Sequence, residues 1–315
     1  MKKVVYVTGC LGFIGYHVAK ACLDKGWYVY GIDKGTYAAN WNLLADLEDY
    51  EDTFKFAQMD INDLEVLHDC DYFINTAAET HVDNSISSSS VFVDSNINGV
   101  YHLLELIKQR SPSRRPIFLH FSTDEVYGDI VEGAHTEEDL LRPSNPYSAT
   151  KAAGDMLILA WARTYGIPYL IVRPTNNYGI GQYTEKFIPH MIKYLTLGKK
   201  AQLHDAGTPR RTWLHASDTA SAVIAIIESG TVNDIFNISG NAELQNIDVA
   251  LKVLNLMNLT GDINDHLDLS IKRPGQDVRY SISDQKLQKL GWRAVADFDQ
   301  ELVKIVDYYT KNFIW

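Results

Sequence analysis

A tyrosine and a lysine stand four residues apart in the stretch NPYSATKAAGDM, as Tyr147 and Lys151. Side chains at this spacing share one face of a helix, and Ser144 and Pro146 are typical helix-start residues. Tyrosine has an ordinary pKa of about 10, but a nearby ammonium favours the phenolate and lowers that pKa. The pair can then take a proton from a hydroxyl group as a hydride leaves the same carbon.

Two adjacent carboxylates, Asp124 and Glu125, follow the apolar run PIFLHF at residues 116–121. Burial and a neighbouring like charge both raise a carboxyl pKa, so unequal shifts leave one group protonated as an acid and the other ionised as a base. Neighbouring residues on a regular strand point to opposite faces. Both groups therefore reach one ligand only if the backbone leaves strand geometry at about Thr123.

A glycine-rich turn, TGCLGFIG, follows the first apolar run and places Gly9, Gly12 and Gly15 at three-residue intervals. Such glycines let the backbone approach a pyrophosphate at the positive end of a helix. The second apolar run, YVYGID, ends in Asp33, close to the offset of about 20 residues expected of a carboxylate that accepts ribose hydroxyls. Because a carboxylate repels a 2′-phosphate, this pattern predicts NAD rather than NADP.

Further residues are predicted to line the cofactor site. Asp60 follows a third strand and can accept a hydrogen bond from an adenine amino group, although capping a helix is an equally good interpretation. Ala77 and Ala78 follow a fourth strand and are small enough to lie against a cofactor. The predicted cofactor-binding residues are Gly9, Gly12, Phe13, Ile14, Gly15, Asp33, Asp60, Ile61, Ala77, Ala78, Tyr147 and Lys151.

The strands and helices that position these residues can be predicted from the alternation of short apolar runs with amphipathic segments up to residue 174. Strands that alternate with helices predict βαβ units and a parallel sheet covered on both faces, a Rossmann-type doubly wound α/β fold. Residues 176–212 are rich in loop signals, DIFNIS indicates a further strand, and 246–259 and 297–311 indicate helices. We predict an NAD-binding domain over residues 1–175, to which later segments return, and a smaller α/β substrate domain over 176–315.

Composition excludes some classes of function. The chain has 315 residues and a net charge of −11, which argues against a nucleic-acid surface and requires a local basic pocket for any anionic ligand. The three cysteines, Cys10, Cys22 and Cys70, lack metal-ligand spacing and predict core or loop residues in a reducing cytoplasm, with no metal site. The sequence shows no signal peptide and no apolar run long enough to span a membrane.

The assembled motifs resemble the dTDP-glucose 4,6-dehydratase family of the extended short-chain dehydrogenase/reductase superfamily. The resemblance extends nearly end to end and implies a tightly bound NAD that is reduced and re-oxidised in each turnover, and a homodimer formed through a four-helix bundle. The stretches that carry it are DKGTYAAN (33–40), AAETHVDNSI (77–86), STDEVYGD (122–129), YSATKAAGD (147–155), NNYGIGQYTEKFIP (176–189), NAELQNIDV (241–249) and RPGQDVRY (273–280).

Roles for the reacting residues follow from the resemblance. Thr123 and Tyr147 would flank the 4-hydroxyl of a nucleotide-linked hexose, with Tyr147 as the base and Lys151 bonded to the nicotinamide ribose. Asp124 would protonate the departing 6-hydroxyl, and Glu125 would remove the C5 proton. The implied substrate-binding residues are Thr80, His81, Asn176, Asn177, Lys186, His204, Arg211, Asn246, Arg279 and Tyr280.

Two departures from the family pattern lie at the nucleotide end: His204 replaces a tyrosine that stacks on the base, and RRTWLHASD stands where RDWLYVED is usual. The sequence therefore does not decide between thymidine and uridine as the nucleoside of the substrate.

UDP-sugar 4-epimerases and UDP-glucuronate decarboxylases share the cofactor motif and the Tyr147 and Lys151 pair, but an epimerase usually has a small neutral residue at the position of Asp124. A non-catalytic NAD-sensing protein would typically lack one member of the pair. The sequence thus favours a hydro-lyase, with deoxysugar and surface-polysaccharide synthesis as an analogy.

Overall fold

A computed structural model describes residues 2–312 of the chain. The strands are Val4–Thr8 (β1), Tyr28–Asp33 (β2), Phe54–Gln58 (β3), Tyr72–Asn75 (β4), Ile117–Phe121 (β5), Tyr169–Pro174 (β6), Asn176–Tyr178 (β7), Ala201–Gln202 (β8), Arg210–His215 (β9), Asp234–Ile238 (β10), Ala242–Gln245 (β11) and Leu267–Asp268 (β12). The α-helices are Phe13–Asp24 (α1), Asn42–Glu48 (α2), Val82–Ser87 (α3), Ser90–Val93 (α4), Gly99–Lys108 (α5), Pro146–Tyr165 (α6), Phe187–Thr196 (α7), Ala216–Ser229 (α8), Asn246–Leu256 (α9), Ile263–His266 (α10), Gln285–Gln288 (α11) and Phe298–Tyr309 (α12).

Seven parallel strands form the central sheet in the order β10-β6-β5-β4-β1-β2-β3. The apolar strand residues are buried on both faces, with a core that includes α1 and α8 on one side and a core that includes α5 and α6 on the other. The strand order reverses at β1, and all carboxyl ends lie at one edge, where open α/β sheets bind ligands. The predicted Rossmann-type doubly wound fold is confirmed.

A smaller unit adjoins this edge. It contains the three-stranded sheet β11-β9-β7 and the pair β12-β8. Helices α7, α9 and α12 pack on these strands around a separate apolar core that contains Trp213, Ile192, Val253 and Leu302. Between its contributions to this unit, the chain adds β10 to the central sheet beside β6 and packs α8 against α1. The cleft between the two units is therefore built from both halves of the sequence.

Helices α7 and α8 were not expected from the sequence: α7 lies within residues 176–212, which are rich in loop signals, and no element was predicted where α8 lies. α7 is short but buries one apolar face, formed by Ile188, Met191, Ile192 and Leu195. α8 is rich in small and β-branched residues and is mostly buried. Tertiary packing outweighs these weak local signals. None of the helices within residues 2–312 has the length and apolarity needed to cross a membrane.

Candidate active site

A cavity of about 320 Å³ opens at the carboxyl edge of the central sheet. Its walls come from the loops that follow β1, β2, β3, β4, β5 and β6, together with the first turn of α6 and the loop before α7. It brings together most of the residues that the sequence singled out. The predicted residues in its lining are Gly9, Gly12, Phe13, Ile14, Gly15, Asp33, Asp60, Ile61, Ala77, Ala78, Thr80, Thr123, Asp124, Glu125, Tyr147, Asn176, Asn177 and Lys186.

The glycine turn between β1 and α1 fits a pyrophosphate. Gly9 has φ +68°, and a Cβ on Gly15 would lie 2.0 Å from the Gly9 carbonyl oxygen, so these positions admit only glycine without a backbone shift. Gly12 provides no side-chain cap for α1, and the first turn of α1 has no acidic residue. The positive end of α1 thus faces the cavity, where it can bind an anionic group of a dinucleotide.

Asp33 and Asp60 lie on the same side of the cavity. Asp33 accepts hydrogen bonds from the backbone N–H of Leu11 (2.9 Å) and of Gly35 (2.8 Å), so it holds the glycine turn as well as lining the site. Asp60 accepts from the Asn62 backbone N–H at 2.9 Å and pairs with Lys34 at 2.9 Å. The capping role for Asp60 is therefore present, and its carboxylate also borders the cavity.

The backbone leaves strand geometry where the two carboxylates require it. β5 ends at Phe121, and Asp124–Tyr127 forms a single 3-10 turn. Thr123 caps this turn: its hydroxyl accepts from the Glu125 backbone N–H (3.4 Å) and donates to Asp124 Oδ1 (3.2 Å). We call residues 123–127 the acid–base turn. It directs both carboxyl groups toward one cavity instead of to opposite faces of the sheet.

The two carboxyl groups have different surroundings. Asp124 is 3% exposed, and its Oδ2 has no hydrogen-bond partner among the described residues. Burial and, to a lesser extent, the charge of Glu125 raise the pKa of Asp124 to about 7. Burial also raises the pKa of Glu125, but Arg211 and a hydrogen bond from Asn145 Nδ2 (3.3 Å) act against the shift. The raised pKa of Asp124 suits an acid, and the Asn145 hydrogen bond with the charge of Arg211 favours the ionised form of Glu125, which suits a base.

Tyr147 and Lys151 lie on the first turns of α6, 7% and 3% exposed. The helix is capped by Asn145, one residue after the predicted Ser144, with Pro146 at the first position. Burial, followed by the charge of Glu125, raises the pKa of Tyr147, opposite to the lowering that we expected from Lys151. The expectation was wrong for this arrangement because the phenol is buried beside two carboxyl groups. Burial also lowers the pKa of Lys151 to about 8, and Lys151 Nζ lies 3.4 Å from His120 Nε2.

Several predicted substrate residues present polar groups for a ligand. Asn176 and Asn246 each have a buried side-chain carbonyl oxygen without a hydrogen-bond partner among residues 2–312. Arg211 is 7% exposed and stacks 4.3 Å above the ring of Tyr280, and its guanidinium donates to the carbonyl oxygens of Arg210 (2.7 Å) and Asp277 (3.2 Å), so it lies behind the cavity lining. The Tyr280 hydroxyl lies 3.4 Å from Glu125 Oε2. Lys186 Nζ donates to the carbonyl oxygen (3.0 Å) and the hydroxyl (2.9 Å) of Thr80, at the rim of the cavity.

Other predicted substrate residues are already engaged with the protein. The Arg279 guanidinium donates to both oxygens of Glu243, at 2.6 and 2.9 Å. His81 caps α3 by accepting the Asn84 backbone N–H, and the Asn177 side chain bonds to Thr219 Oγ1 (2.6 Å) and to the Thr175 carbonyl oxygen. His204 faces a carboxylate instead of the cavity lining, with its Nε2 3.6 Å from Asp83 Oδ2.

Sequence reasoning missed residues that support the reacting groups. Asn145 binds Glu125, and its position before Pro146 is a helix-cap signal that could have identified it. Arg173 and Asp155 form a fully buried ion pair behind the acid–base turn. No local pattern reveals such a pair, since an arginine at the end of a strand is usually exposed.

Comparisons with known proteins found similar sequences and structures. A family model described as GDP-mannose 4,6 dehydratase matches residues 6–305. A dTDP-glucose 4,6-dehydratase of Streptomyces niveus is 38% identical, over 99% of this chain and 94% of that protein. The crystal structure of the dTDP-glucose 4,6-dehydratase from Streptomyces venezuelae with NAD bound superimposes with a TM-score of 0.92 at 33% identity, covering 98% of this chain and 97% of that one. A UDP-glucuronic acid 4-epimerase from Bacillus cereus has a TM-score of 0.89 at 24% identity, over 98% and 99% of the two chains, which shows a shared fold alone.

Proposed function

The chain belongs to the dTDP-glucose 4,6-dehydratase family, and from this membership we propose that it removes water from a nucleotide-diphosphate hexose. The substrate is dTDP-glucose or a related compound such as UDP-glucose, and the product is the 4-keto-6-deoxy sugar. The observation that carries the proposal is the acid–base turn. It places a buried Asp124, whose Oδ2 has no hydrogen-bond partner among residues 2–312, beside an ionisable Glu125 in the same cavity as Tyr147.

The proposed removal of water uses the side chains of Tyr147, Glu125 and Asp124, first for oxidation and then for elimination. Tyr147 takes the proton of the 4-hydroxyl as C4 is oxidised, with Thr123 bonded beside it. The C4 ketone acidifies the C5 proton, which Glu125 takes, and Asp124 donates a proton to the departing 6-hydroxyl. The proton on Glu125 exchanges with solvent before Glu125 protonates C5, and the proton taken by Tyr147 balances the one lost by Asp124. NAD, when bound, supplies the acceptor and then the donor of the hydride that moves from C4 to C6.

The cofactor would be held by the predicted residues that line the cavity around the glycine turn. Gly9, Gly12 and Gly15 leave room for the pyrophosphate at the end of α1, and Asp33 lies where a ribose can bind. Lys151 lies one helical turn beyond Tyr147 on α6, is buried, and has its ammonium 3.4 Å from His120 Nε2. It would bind the nicotinamide ribose, and the cationic nicotinamide ring, when bound, would favour the phenolate that Tyr147 needs to act as a base.

The substrate diphosphate would bind at the side of the cavity formed by the smaller unit. A protein with a net charge of −11 needs local cations for a dianion, and Arg211 and Lys186 provide them. The unpartnered side-chain oxygens of Asn176 and Asn246 can accept hydrogen bonds from ligand hydroxyl or amide groups. Arg279 would join this set only by exchanging Glu243 for a phosphate, because its guanidinium is already paired.

The alternative function, a UDP-sugar 4-epimerase, has less support, because oxidation, rotation and reduction at C4 require no acid at the position of Asp124.

To test the proposal, the protein is incubated in heavy water with dTDP-glucose, UDP-glucose, UDP-N-acetylglucosamine and UDP-glucuronate, and the masses of the products are measured by mass spectrometry. We expect loss of water with one solvent deuterium retained at C5. Loss of carbon dioxide would establish a decarboxylase, inversion at C4 without mass loss an epimerase, and no turnover despite bound NAD a non-catalytic protein.

The assembly and location of the protein are also proposals. The outer surface of the packed helices α4, α5 and α6 exposes apolar side chains, including Val91, Tyr101 and Met156, each about half exposed. A second copy that packs there would complete a four-helix bundle and a homodimer.

Cys10, Cys22 and Cys70 are free thiols, which suits a reducing cytoplasm. The division at residues 175 and 176 into cofactor and nucleotide-sugar domains remains a proposal as well.

A further inference from the structure

Arg173 is a charged residue that the proposed chemistry does not use. It lies near the end of β6 and is 2% exposed. Its Nε and Nη2 both lie 3.0 Å from Asp155 Oδ2. Its Nη1 donates to the Tyr127 hydroxyl at 2.6 Å. The free energy of removing two charges from water seldom falls below the gain from their attraction, so a contribution to stability does not by itself explain why this ion pair is buried.

The contacts of this arginine reach both ends of the acid–base turn. Tyr127 is the last residue of the turn and receives the Nη1 hydrogen bond directly. Ser122 comes immediately before the turn, and its hydroxyl donates to Asp155 Oδ2 at 3.0 Å, the same oxygen that Arg173 binds. The turn that carries Asp124 and Glu125 is therefore clamped at its two ends by one guanidinium and its carboxylate partner.

The same carboxylate belongs to the helix that carries the oxidation residues. Asp155 lies on α6 one turn beyond Lys151 and two turns beyond Tyr147. The clamp consequently ties two groups of reacting residues together: the pair for oxidation at C4 on α6, and the pair for elimination at C5 and C6 on the turn. The Tyr127 hydroxyl continues the network by donating to Asn237 Oδ1 (2.9 Å) on β10.

We infer that Arg173 is a positioning residue that acts through Asp155 and Tyr127. It sets the distance between the two carboxyl groups of the acid–base turn and a sugar that Tyr147 has already oriented. This inference rests on the proposed dehydration. Oxidation uses Tyr147, Lys151 and the cofactor, with Thr123 at the start of the turn bonded beside Tyr147. Elimination also needs the two carboxyl groups further along the acid–base turn in register with them. Loosening the clamp should therefore slow elimination more than oxidation, because a displacement of about 1 Å can cost on the order of a hundredfold in rate.

The substitution that tests this is Tyr127→Phe, which removes one hydroxyl and keeps the buried ring. Single-turnover experiments follow the absorbance of the reduced cofactor for oxidation, and deuterium entry at C5 and product mass for elimination. We expect elimination to slow about tenfold or more while oxidation stays within about twofold, so that the reduced cofactor accumulates. Thermal unfolding of each variant, with and without added NAD, shows how far the fold itself is affected.

Tyr72→Phe is the matched control, since Tyr72 is a buried tyrosine at the opposite, amino end of the central sheet, with its hydroxyl 3.5 Å from the Ile227 carbonyl oxygen. If Tyr127→Phe does not fold, Ser122→Ala loosens the other end of the turn and is judged by the same ratio. A proportional fall in both steps, or unchanged rates in a folded variant, would overturn the inference while leaving the proposed function intact. Absence of any dehydration by the unmodified protein would instead defeat the proposed function itself.

Discussion

Asp124 and Glu125 are neighbours in the chain, yet they have different partners. Asp124 Oδ2 is buried without a partner among the described residues, whereas Glu125 Oε2 lies close to Asn145 and Tyr280. An unpartnered carboxyl group favours its neutral form, and hydrogen-bond donors favour the ionised form. The pair thus resembles other enzyme sites in which two acidic groups are driven apart in pKa to divide acid and base roles.

Replacement of these carboxyl groups should separate the steps of the reaction. Asp124→Asn removes the acid but keeps the shape, so water loss should slow by about 10²- to 10⁴-fold while oxidation at C4 remains detectable. Glu125→Gln should slow deuterium exchange at C5 by a similar factor. Glu132→Gln, an exposed glutamate on the following loop, serves as the control. Normal yields of 6-deoxy product from Asp124→Asn would show that the acid has been assigned wrongly.

The raised pKa of Asp124 predicts a pH dependence. The group is protonated and able to act as an acid below about pH 7, and it loses that proton as the pH rises through about 7. The rate of water loss should fall about tenfold for each further pH unit, and oxidation at C4 should not follow this profile. A rate of water loss that stays constant up to pH 9 would contradict it.

The pH dependence of protein stability gives a second measure of the pKa of Asp124. The folded protein holds this proton from the ordinary carboxyl pKa of 3.8 up to about 7, whereas the unfolded chain has released it. The contribution of Asp124 to the stability of the wild type therefore falls as the pH rises across that window. Asp124→Asn lacks this loss, so its melting temperature relative to wild type should increase between pH 4 and pH 7. A constant difference across the window would show that the pKa is not raised.

At the scale of elements, the turn between β1 and α1 has two kinds of glycine. A Cβ on Gly15 would lie 2.0 Å from the Gly9 carbonyl oxygen and 2.6 Å from Thr76 Oγ1, within the packing of α1 on the sheet. A Cβ on Gly12 would meet only the Gly9 carbonyl oxygen, at 3.1 Å, and would otherwise extend toward the cavity. One glycine is needed mainly by the fold and the other mainly by the ligand.

Alanine substitutions should distinguish the two glycines. Gly15→Ala should destabilise the protein by about 2 kcal/mol or more, since overpacking against backbone forces the helix to shift. Gly12→Ala should lower stability less and weaken NAD binding by about tenfold or more, because the turn can no longer approach the pyrophosphate closely. Chemical denaturation and calorimetric titration with NAD measure the two effects. Equal losses of stability in both variants would refute the distinction.

At the scale of the whole molecule, the cavity lies between the central sheet and the smaller unit and depends on both. Arg273 binds both oxygens of Asp83, at 2.6 and 2.7 Å, and Lys186 binds Thr80, so contacts across the cleft hold the two units together at its rim. These contacts join segments more than 100 residues apart in the chain. The exposed apolar face of α4, α5 and α6 is the surface at which we propose that a second copy binds.

The proposed dimer can be tested on that face. Met156→Arg places a charge where a partner helix would pack, and burying an unpaired charge is strongly unfavourable, so self-association should weaken by about tenfold or more. Val295→Arg, at a valine that is 82% exposed on a distant loop, is the control. Sedimentation analysis measures both. A dimer that persists unchanged in Met156→Arg would place the interface elsewhere.

Much of the fold and of the cofactor site could be predicted because the relevant signals are local. The alternation of apolar runs predicts the parallel sheet, and the glycine turn with Asp33 requires only a strand, a tight turn and a helix in succession. The requirement for a break in strand geometry at Thr123 also follows from the two-residue period of a strand. Helices α7 and α8 escaped this reasoning because their stability comes from packing with distant elements.

The sequence by itself determined which chemical groups are available and which element carries each one, since both depend on residue type and short-range spacing. Only the tertiary structure decided which of those groups remain free to react. Arg279 is occupied by Glu243, Asp124 Oδ2 is left without a partner among residues 2–312, and Arg173 closes on Asp155 and Tyr127. Pairing and burial depend on residues far apart in the chain, and these same contacts determine the pKa values on which the chemistry depends.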